Sequence, residues 1–433
     1  MTTPGISPLS RPAFGALGRL TAAPEDFRAN PPAEPVVFRA ADGASDGAAD
    51  RTSDGTSGRA SDGASDGTSG RASDRFADLF GWEALDASLA ASGRRLPDFR
   101  VIRDGAQIAD RRYTRATLMY ADAPDVRKTT GELAEGASLV MQGLQEYSEP
   151  LARFTRELAH DTSRPVHVNA YITPPKSQGF EAHFDPRDAF IVQVEGTKVW
   201  TLGKPVLPAP LAHESWDRLR ERGEWTTERL DAIEPWKVLT LEPGDVLWLP
   251  RGWVHSARSE GVSSLHLTLS LTAWTEHWAV GELLSRVVDV PGRTSFPADF
   301  VRDPEAAVDA VAALRRGLAD WFAESSDEEI AAALRKAAIR EFPPPMRQVS
   351  AVLADERLTP ETVFTVHREV VLSAVEEGEH LLLHLADRVL TLPESAAPAL
   401  AATLDRTRAT RAELPMADDV VRLLWREGLL SRA

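Results

Sequence analysis

The 433-residue chain contains no cysteine. That excludes a disulfide framework, a zinc–thiolate site, an iron–sulfur cluster and a thiol nucleophile, so any metal has to be held by His, Asp and Glu. Lysine is scarce as well: six (128, 176, 198, 204, 237 and 336) stand against 43 arginines. A cationic surplus is missing too, with 49 Lys+Arg against 65 Asp+Glu and a net charge of −16. This disfavours a nucleic-acid binder built on one large basic face. No run approaches the ~20 apolar residues of a membrane span. The first thirty residues, interrupted by Pro4, Pro8 and Pro12, hold no apolar stretch of the secretory kind. The expected address is therefore cytoplasmic, with no membrane partner. What remains is the composition of a soluble globular protein, 43% hydrophobic and 26% charged, with room for roughly two to four domains.

Residues 41–74 are nearly all Ala, Ser, Asp, Gly, Thr and Arg, and the octapeptide SDGTSGRA occurs at both 53–60 and 65–72. Without large apolar side chains such a segment cannot offset its ordering entropy, so 1–74 is expected to be a disordered low-complexity region. Folded structure is expected from Phe76, where FADLFGWEALDASLAA has helical spacing, and SEPLARFTRELAH (148–160) reads as a second helix. The period then changes to two. VHVNAYI (166–172), DAFIVQVEG (188–196), TKVWTLG (197–203), KVLTL (237–241), DVLWL (245–249) and SSLHLTLSLTA (263–273) read as strands of an antiparallel barrel or sandwich. Residues 211–236 look like an inserted, partly helical excursion. Helical patterns return at 276–288, 304–325 and 327–342, stopped by Pro343–Pro345. Their broad apolar stripes suit packing on the barrel or on a second subunit. The end of the chain reads as a strand at 380–392 and helices at 394–407 and 417–430. Seven acids balance seven arginines over 381–433, which gives this module no electrostatic reason to hold DNA.

Chemistry concentrates in two stretches. FEAHFDPRDAF (180–190) places His183 and Asp185 two residues apart, the spacing that puts both side chains on one face of an extended chain. Seventy residues on, LEPGDVLWLPRGWVHSARS brings His255 just beyond a PRGW turn. Two His and one carboxylate on one side of a metal leave three positions open, the arrangement of non-haem Fe(II) oxygenases. Lys198 lies on the strand after the Glu195-Gly196 turn. If it faces inward it is an unpaired buried charge unless an anion meets it, and the C5 carboxylate of 2-oxoglutarate would be such an anion. Asn169 and Tyr171 share one face of their strand, as do His266 and Ser270 of theirs. His266 reads as a core or surface histidine, and the Trp residues 200, 248, 253, 274 and 278 as core.

The blocks VNAYITPPKSQGFEAHFDPRDAFIVQVEGTKVWTLG (168–203), LEPGDVLWLPRGWVHSA (241–257) and SSLHLTLSL (263–271) together resemble the JmjC-type cupin oxygenases, and within them the ribosomal oxygenases. The resemblance implies an α+β protein: a double-stranded β-helix (cupin/JmjC jelly roll) at 75–274, a helical dimerisation region at 275–345 and a winged-helix-like domain at 346–433. It implies Fe(II) on His183, Asp185 and His255, 2-oxoglutarate and O2 as co-substrates, and Lys198 on the C5 carboxylate. Tyr171, Asn169 and Ser270 would line the co-substrate and substrate pocket. The implied activity is hydroxylation of a side chain in a protein substrate, such as a ribosomal protein, by a homodimer. The acidity of the chain is compatible with such a basic partner. A small-molecule or peptide hydroxylase of the same fold, and a cupin-like metal-binding module without turnover, are the alternatives. Histone-type demethylation is disfavoured by the absence of a chromatin-reading cysteine set.

Overall fold

The computed structural model describes residues 14–40, 74–90, 94–285, 294–353 and 358–433. Two compact units are present, one made of 14–162 and 166–272, the other of 163–165 and 273–433.

The first unit opens with helices α1 (Gly15–Leu20) and α2 (Pro24–Ala29) and strand β1 (Val36–Phe38). This corrects the expectation that all of 1–74 lacks structure. Low complexity is confined to its second half, whereas Leu17, Leu20 and Phe27 before it are buried. Phe27 sits 5.2 Å from Phe190 and 4.9 Å from Trp248, ring to ring. The Asp161 carboxylate accepts hydrogen bonds from the backbone N–H of Phe14 and Leu17. The repeat at 53–72 lies outside the described residues.

Helix α3 (Trp82–Ala90) is followed by strands the sequence pattern does not announce: β2 (Phe99–Arg103), β3 (Ala106–Gln107), and the short pair β4 (Thr114–Arg115) and β5 (Ala123–Pro124). Helix α4 (Val126–Ala134) leads into β6 (Ser138–Met141), and α5 (Glu149–Thr162) into β7 (Val166–Thr173). Leu151, Phe154 and Leu158 make the buried stripe of α5, the spacing a helix needs to cover a sheet. Strands β8 (Asp188–Glu195) and β9 (Lys198–Gly203) follow. The excursion holds α6 (Trp216–Glu221) and α7 (Thr227–Asp231), and the chain then returns as β10 (Lys237–Leu241), β11 (Val246–Leu249), β12 (Val254–Arg258) and β13 (Ser264–Leu271).

These strands form an eight-stranded sheet, β1-β11-β8-β13-β7-β6-β2-β3, and a three-stranded sheet, β10-β9-β12. Ala189, Ile191, Leu247 and Leu249 of the larger sheet and Trp200, Leu202, Leu239 and Leu241 of the smaller share one buried cluster, so the two sheets close on a common interior. β13 is buried on both faces: Leu265, Leu267, Leu269 and Leu271 on one, His266 and Thr268 on the other.

The second unit contains α8 (Glu276–Leu284), α9 (Pro304–Glu324), α10 (Asp327–Ile339) and α11 (Val349–Leu353). Ser326 and Glu329 form a capping box that starts α10. No side chain of α9 is buried. Beyond them come β14 (Val363–Val366), β15 (Ser373–Glu377), β16 (His380–His384), β17 (Val389–Pro393), α12 (Ala397–Leu404), β18 (Arg408–Thr410), α13 (Asp418–Arg426) and β19 (Leu430–Arg432). The stretch 380–392, expected as one strand, is a hairpin of β16 and β17, turned where Leu385 N–H bonds the carbonyl of Arg388. Leu383, Leu400, Val421, Leu424 and Trp425 belong to a core of its own.

Candidate metal centre

His183 and Asp185 lie in the connection between β7 and β8, not within a strand as their spacing suggests. Pro186 has no N–H to extend a ladder, and the extended geometry is held instead by one isolated bridge to β12. In it His183 N–H bonds the His255 carbonyl at 3.0 Å, and His255 N–H the His183 carbonyl at 2.8 Å. The alternation expected of an extended chain still holds. Ala182 and Phe184, the intervening positions, turn into a cluster with Trp216, Leu219 and Leu230 of the excursion. The excursion therefore backs the loop that presents His183 and Asp185. The PRGW turn adds a second support, because Gly252 N–H donates to the Asp185 carbonyl at 2.9 Å.

One ligand atom from each of His183, Asp185 and His255 falls within 4.8 Å of the others. The imidazole rings are 4.3 Å apart, and His255 Nε2 stands 3.7 Å from Asp185 Oδ2. Each ring places its Nδ1 against the carbonyl two residues earlier: His183 on Glu181 at 2.8 Å and His255 on Trp253 at 3.0 Å. Those bonds fix Nδ1 as the donor and leave Nε2 with its lone pair free, the tautomer a metal needs. Burial, and then the neighbouring His183, push His255 down to about 4, so its ring is neutral at physiological pH. Two imidazoles with Nε2 turned to one side and a carboxylate fit a divalent first-row ion with positions left open.

The cluster borders a cavity of about 530 Å3, measured out to its open mouth. At its inner end Lys198 is buried and donates to Thr173 Oγ1 at 3.0 Å, and Ser138 Oγ lies 3.3 Å from the same oxygen. Among the described residues no carboxylate pairs with Lys198, and burial alone lowers it to about 7. Tyr171 and His266 stack beside it, with parallel rings whose centroids are 4.9 Å apart. Burial, and then Asp185, raise Tyr171 to about 12, which keeps its hydroxyl protonated. His266 is held well below its ordinary value, by burial first and by Lys198 and His255 next, and among the described residues its buried Nδ1 has no hydrogen-bond partner.

The structure thus gathers His183, Asp185, His255, Lys198 and Tyr171 around one cavity. Asn169 and Ser270 are not among its lining residues. Asn169 pairs with Thr268 one rung further along the same face, its Oδ1 accepting from Gly143 N–H, and Ser270 stands one rung beyond, opposite His167. His266, read from the sequence as a core or surface histidine, lines the cavity, as do Ser138, Thr173 and Thr268. Strand parity makes Thr173 and Thr268 findable, since each is two residues from an identified one. Ser138 carries no such signal.

Residues 143–278 match the family model of the JmjC domain. Human ribosomal oxygenase 1 is 29% identical over 288 residues, 58% of this chain and 43% of that protein. The bifunctional lysine-specific demethylase and histidyl-hydroxylase NO66 of Drosophila willistoni is 48% identical over 108 residues, 24% of this chain and 13% of its own. The chain thus spans less than half the length of these relatives. Among solved structures, the Escherichia coli ribosomal oxygenase YcfD superposes with a TM-score of 0.51 at 17% identity, covering 96% of this chain and 99% of that one. The same protein in complex with cobalt and 2-oxoglutarate gives 0.51 at 16%, covering 95% and 98%. At such identities the likeness concerns the fold.

Proposed function

We propose that the chain, whose residues 143–278 match the JmjC domain and which is similar to the ribosomal oxygenases, is an Fe(II)- and 2-oxoglutarate-dependent oxygenase that hydroxylates a side chain of a protein. One observation carries this reading: a single cavity holds both a three-ligand cluster with free Nε2 atoms and a buried lysine lacking a counter-charge. His183, Asp185 and His255 would hold Fe(II), and Lys198 with Thr173 would hold the far carboxylate of 2-oxoglutarate. Bound iron with 2-oxoglutarate and O2 supplies the oxidising power for attack on a C–H bond. The chain's own residues do the rest. The Nδ1 bonds keep the rings aimed, Trp200 and Ile191 keep the inner wall dry, and the protonated Tyr171 offers a hydroxyl donor.

Among the described residues Asp185 is the one carboxylate lining the cavity. With that group engaged on a metal, no acid of the lining would meet a guanidinium or ammonium, which supports an uncharged acceptor side chain. Asn169 and Ser270, further along the same face, are proposed as contacts of the substrate segment. A ribosomal protein is the proposed substrate class, after the names of the relatives.

A homodimer through 275–345 is proposed on the exposure of Val280, Leu284, Val308, Val311 and Phe322. A monomer in light scattering at micromolar concentration would contradict it. The C-terminal unit is proposed as winged-helix-like, on α12, α13 and the β16–β17 hairpin. No helix of the described residues is long and apolar enough to cross a membrane, and a cytoplasmic location is proposed.

The deciding experiment incubates the chain with Fe(II), 2-oxoglutarate and O2. Succinate should form, and ribosomal proteins should gain one oxygen atom by mass spectrometry. Succinate no higher than in the His183→Ala/Asp185→Ala variant would end the proposal.

A further inference from the structure

A second cavity, about 490 Å3 out to its mouth, lies in the other unit between α10 and the β15–β16 hairpin. Arg335 and Lys336 of α10 line one side, and Ser373 and His384 of the hairpin line the other. Ser373 stands directly opposite His384 in the β15–β16 register, so hydroxyl and imidazole are neighbours across the ladder. Ala332 and Val375 complete an apolar floor.

The donors of this cavity lack acceptors. Among the described residues neither Arg335 nor Lys336 is ion-paired, and Ser373 Oγ is not hydrogen-bonded. Among the described residues His384 Nδ1 is buried without a hydrogen-bond partner. Burial and then the charge of Lys336 hold His384 below its ordinary value, while Glu377 is the one carboxylate whose charge acts on it. In either protonation state an imidazole carries at least one N–H donor. Two exposed cationic side chains, a hydroxyl and an imidazole thus line one cavity, with Glu377 the carboxylate whose charge reaches His384.

From this arrangement we infer that the cavity between α10 and the β15–β16 hairpin binds a phosphoryl group. Two cationic side chains match a dianion better than a monocarboxylate, and the guanidinium fork suits phosphate oxygens. Free phosphate and a small phosphate monoester share this chemistry. Binding would tie the helix to the hairpin.

The test titrates the full chain, without added metal and at constant ionic strength, with inorganic phosphate in one arm and ribose 5-phosphate in the other. The His384 ring resonances are followed by NMR after selective histidine labelling. Saturable shifts of His384 are expected. Arg335→Gln/Lys336→Gln should weaken binding by about tenfold or more, since two charge-assisted contacts are removed. His183→Ala/Asp185→Ala should leave it unchanged. Tighter binding of the monoester would assign the site to a phosphorylated small molecule, and equal binding to phosphate itself. Non-saturating shifts, or a double variant that binds like the parent while its circular dichroism is unchanged, would overturn the inference.

Discussion

His183 and His255 face each other through a lone antiparallel bridge in which each donates its backbone N–H to the other's carbonyl, at 3.0 and 2.8 Å. Seventy-two residues of chain separate them, yet the bridge makes them a directly opposed pair with ring centroids 4.3 Å apart. The backbone thus sets the spacing of the two imidazoles before any metal arrives.

Metal affinity is accordingly expected to depend on all three side chains. His183→Ala, Asp185→Ala and His255→Ala should each lower Co(II) or Fe(II) affinity by about 100-fold or more, beyond what loss of an outer-sphere partner costs. Titration with Co(II), followed by its visible absorption, reads this directly. Undiminished affinity in any of the three would remove that residue from the site.

Lys198 gives a pH dependence whose sign is fixed. Its folded-state value is lowered from 10.5 to about 7 by burial. Between these values the unfolded chain binds more protons than the folded one, so stability rises with pH from about 7 towards 10.5; below 7 the full cost of the buried ammonium is present. Lys198→Met should abolish this slope and raise the melting temperature at pH 6–7, while destroying 2-oxoglutarate binding. In the parent chain 2-oxoglutarate affinity should fall by about tenfold per pH unit above 7, because the carboxylate requires the protonated amine. A flat affinity profile from pH 7 to 9 would contradict that role.

Gly252 sits at φ +86°, and a Cβ there would come within 2.6 Å of the Leu207 carbonyl oxygen. Its N–H also holds the Asp185 backbone. Gly252→Ala should therefore cost about 1–2 kcal/mol of stability from the backbone alone, and weaken metal binding as well. Chemical denaturation and Co(II) titration measure the two effects separately. A variant with parental metal affinity would detach the turn from the site.

What the sequence made legible follows from where local pattern and tertiary structure agree. His183 and Asp185 stood out because parity along an extended chain survives even where no ladder forms, and His255 because it follows the PRGW turn at a strand. Lys198 stood out because lysine is rare in this chain. The long strands β7, β8 and β13 carry unbroken alternation and were readable. β1, β2 and β6 were not: each is three to five residues long and is held by its partner strand, not by its own pattern. The folded stretch 14–40 was hidden by its neighbour, because the composition of 41–74 was extended to everything before it. Ser138 enters the cavity through the β6–β7 pairing, which no local pattern announces.

The role of 14–40 provides a further expectation. Trp248 and Trp253 donate their indole N–H groups to the carbonyls of Pro32 and Ala33, and Phe27 packs on Phe190 and Trp248. Phe27→Ala should cost about 3–5 kcal/mol, the range for a buried aromatic that leaves a cavity. Urea unfolding followed by tryptophan fluorescence would measure it. A loss below the range for a surface substitution would mean that this segment is not part of the core.

Trp216 tests whether the excursion supports the metal loop or merely interrupts the barrel. Its ring lies 6.0 Å from that of Phe184, the residue between His183 and Asp185, and both are buried. Truncation to Ala leaves Phe184 without its partner, so the loop gains freedom at the position that sets the direction of both ligands. Trp216→Ala should lower metal affinity by about 10–100-fold, as removal of an outer support does, with 2-oxoglutarate contacts at Lys198 spared. Trp216→Phe should restore most of the affinity, because ring packing and not the indole N–H carries the effect. If Trp216→Ala binds Co(II) like the parent, the loop is held by the His183–His255 bridge and the PRGW turn alone, and the excursion has no part in the site.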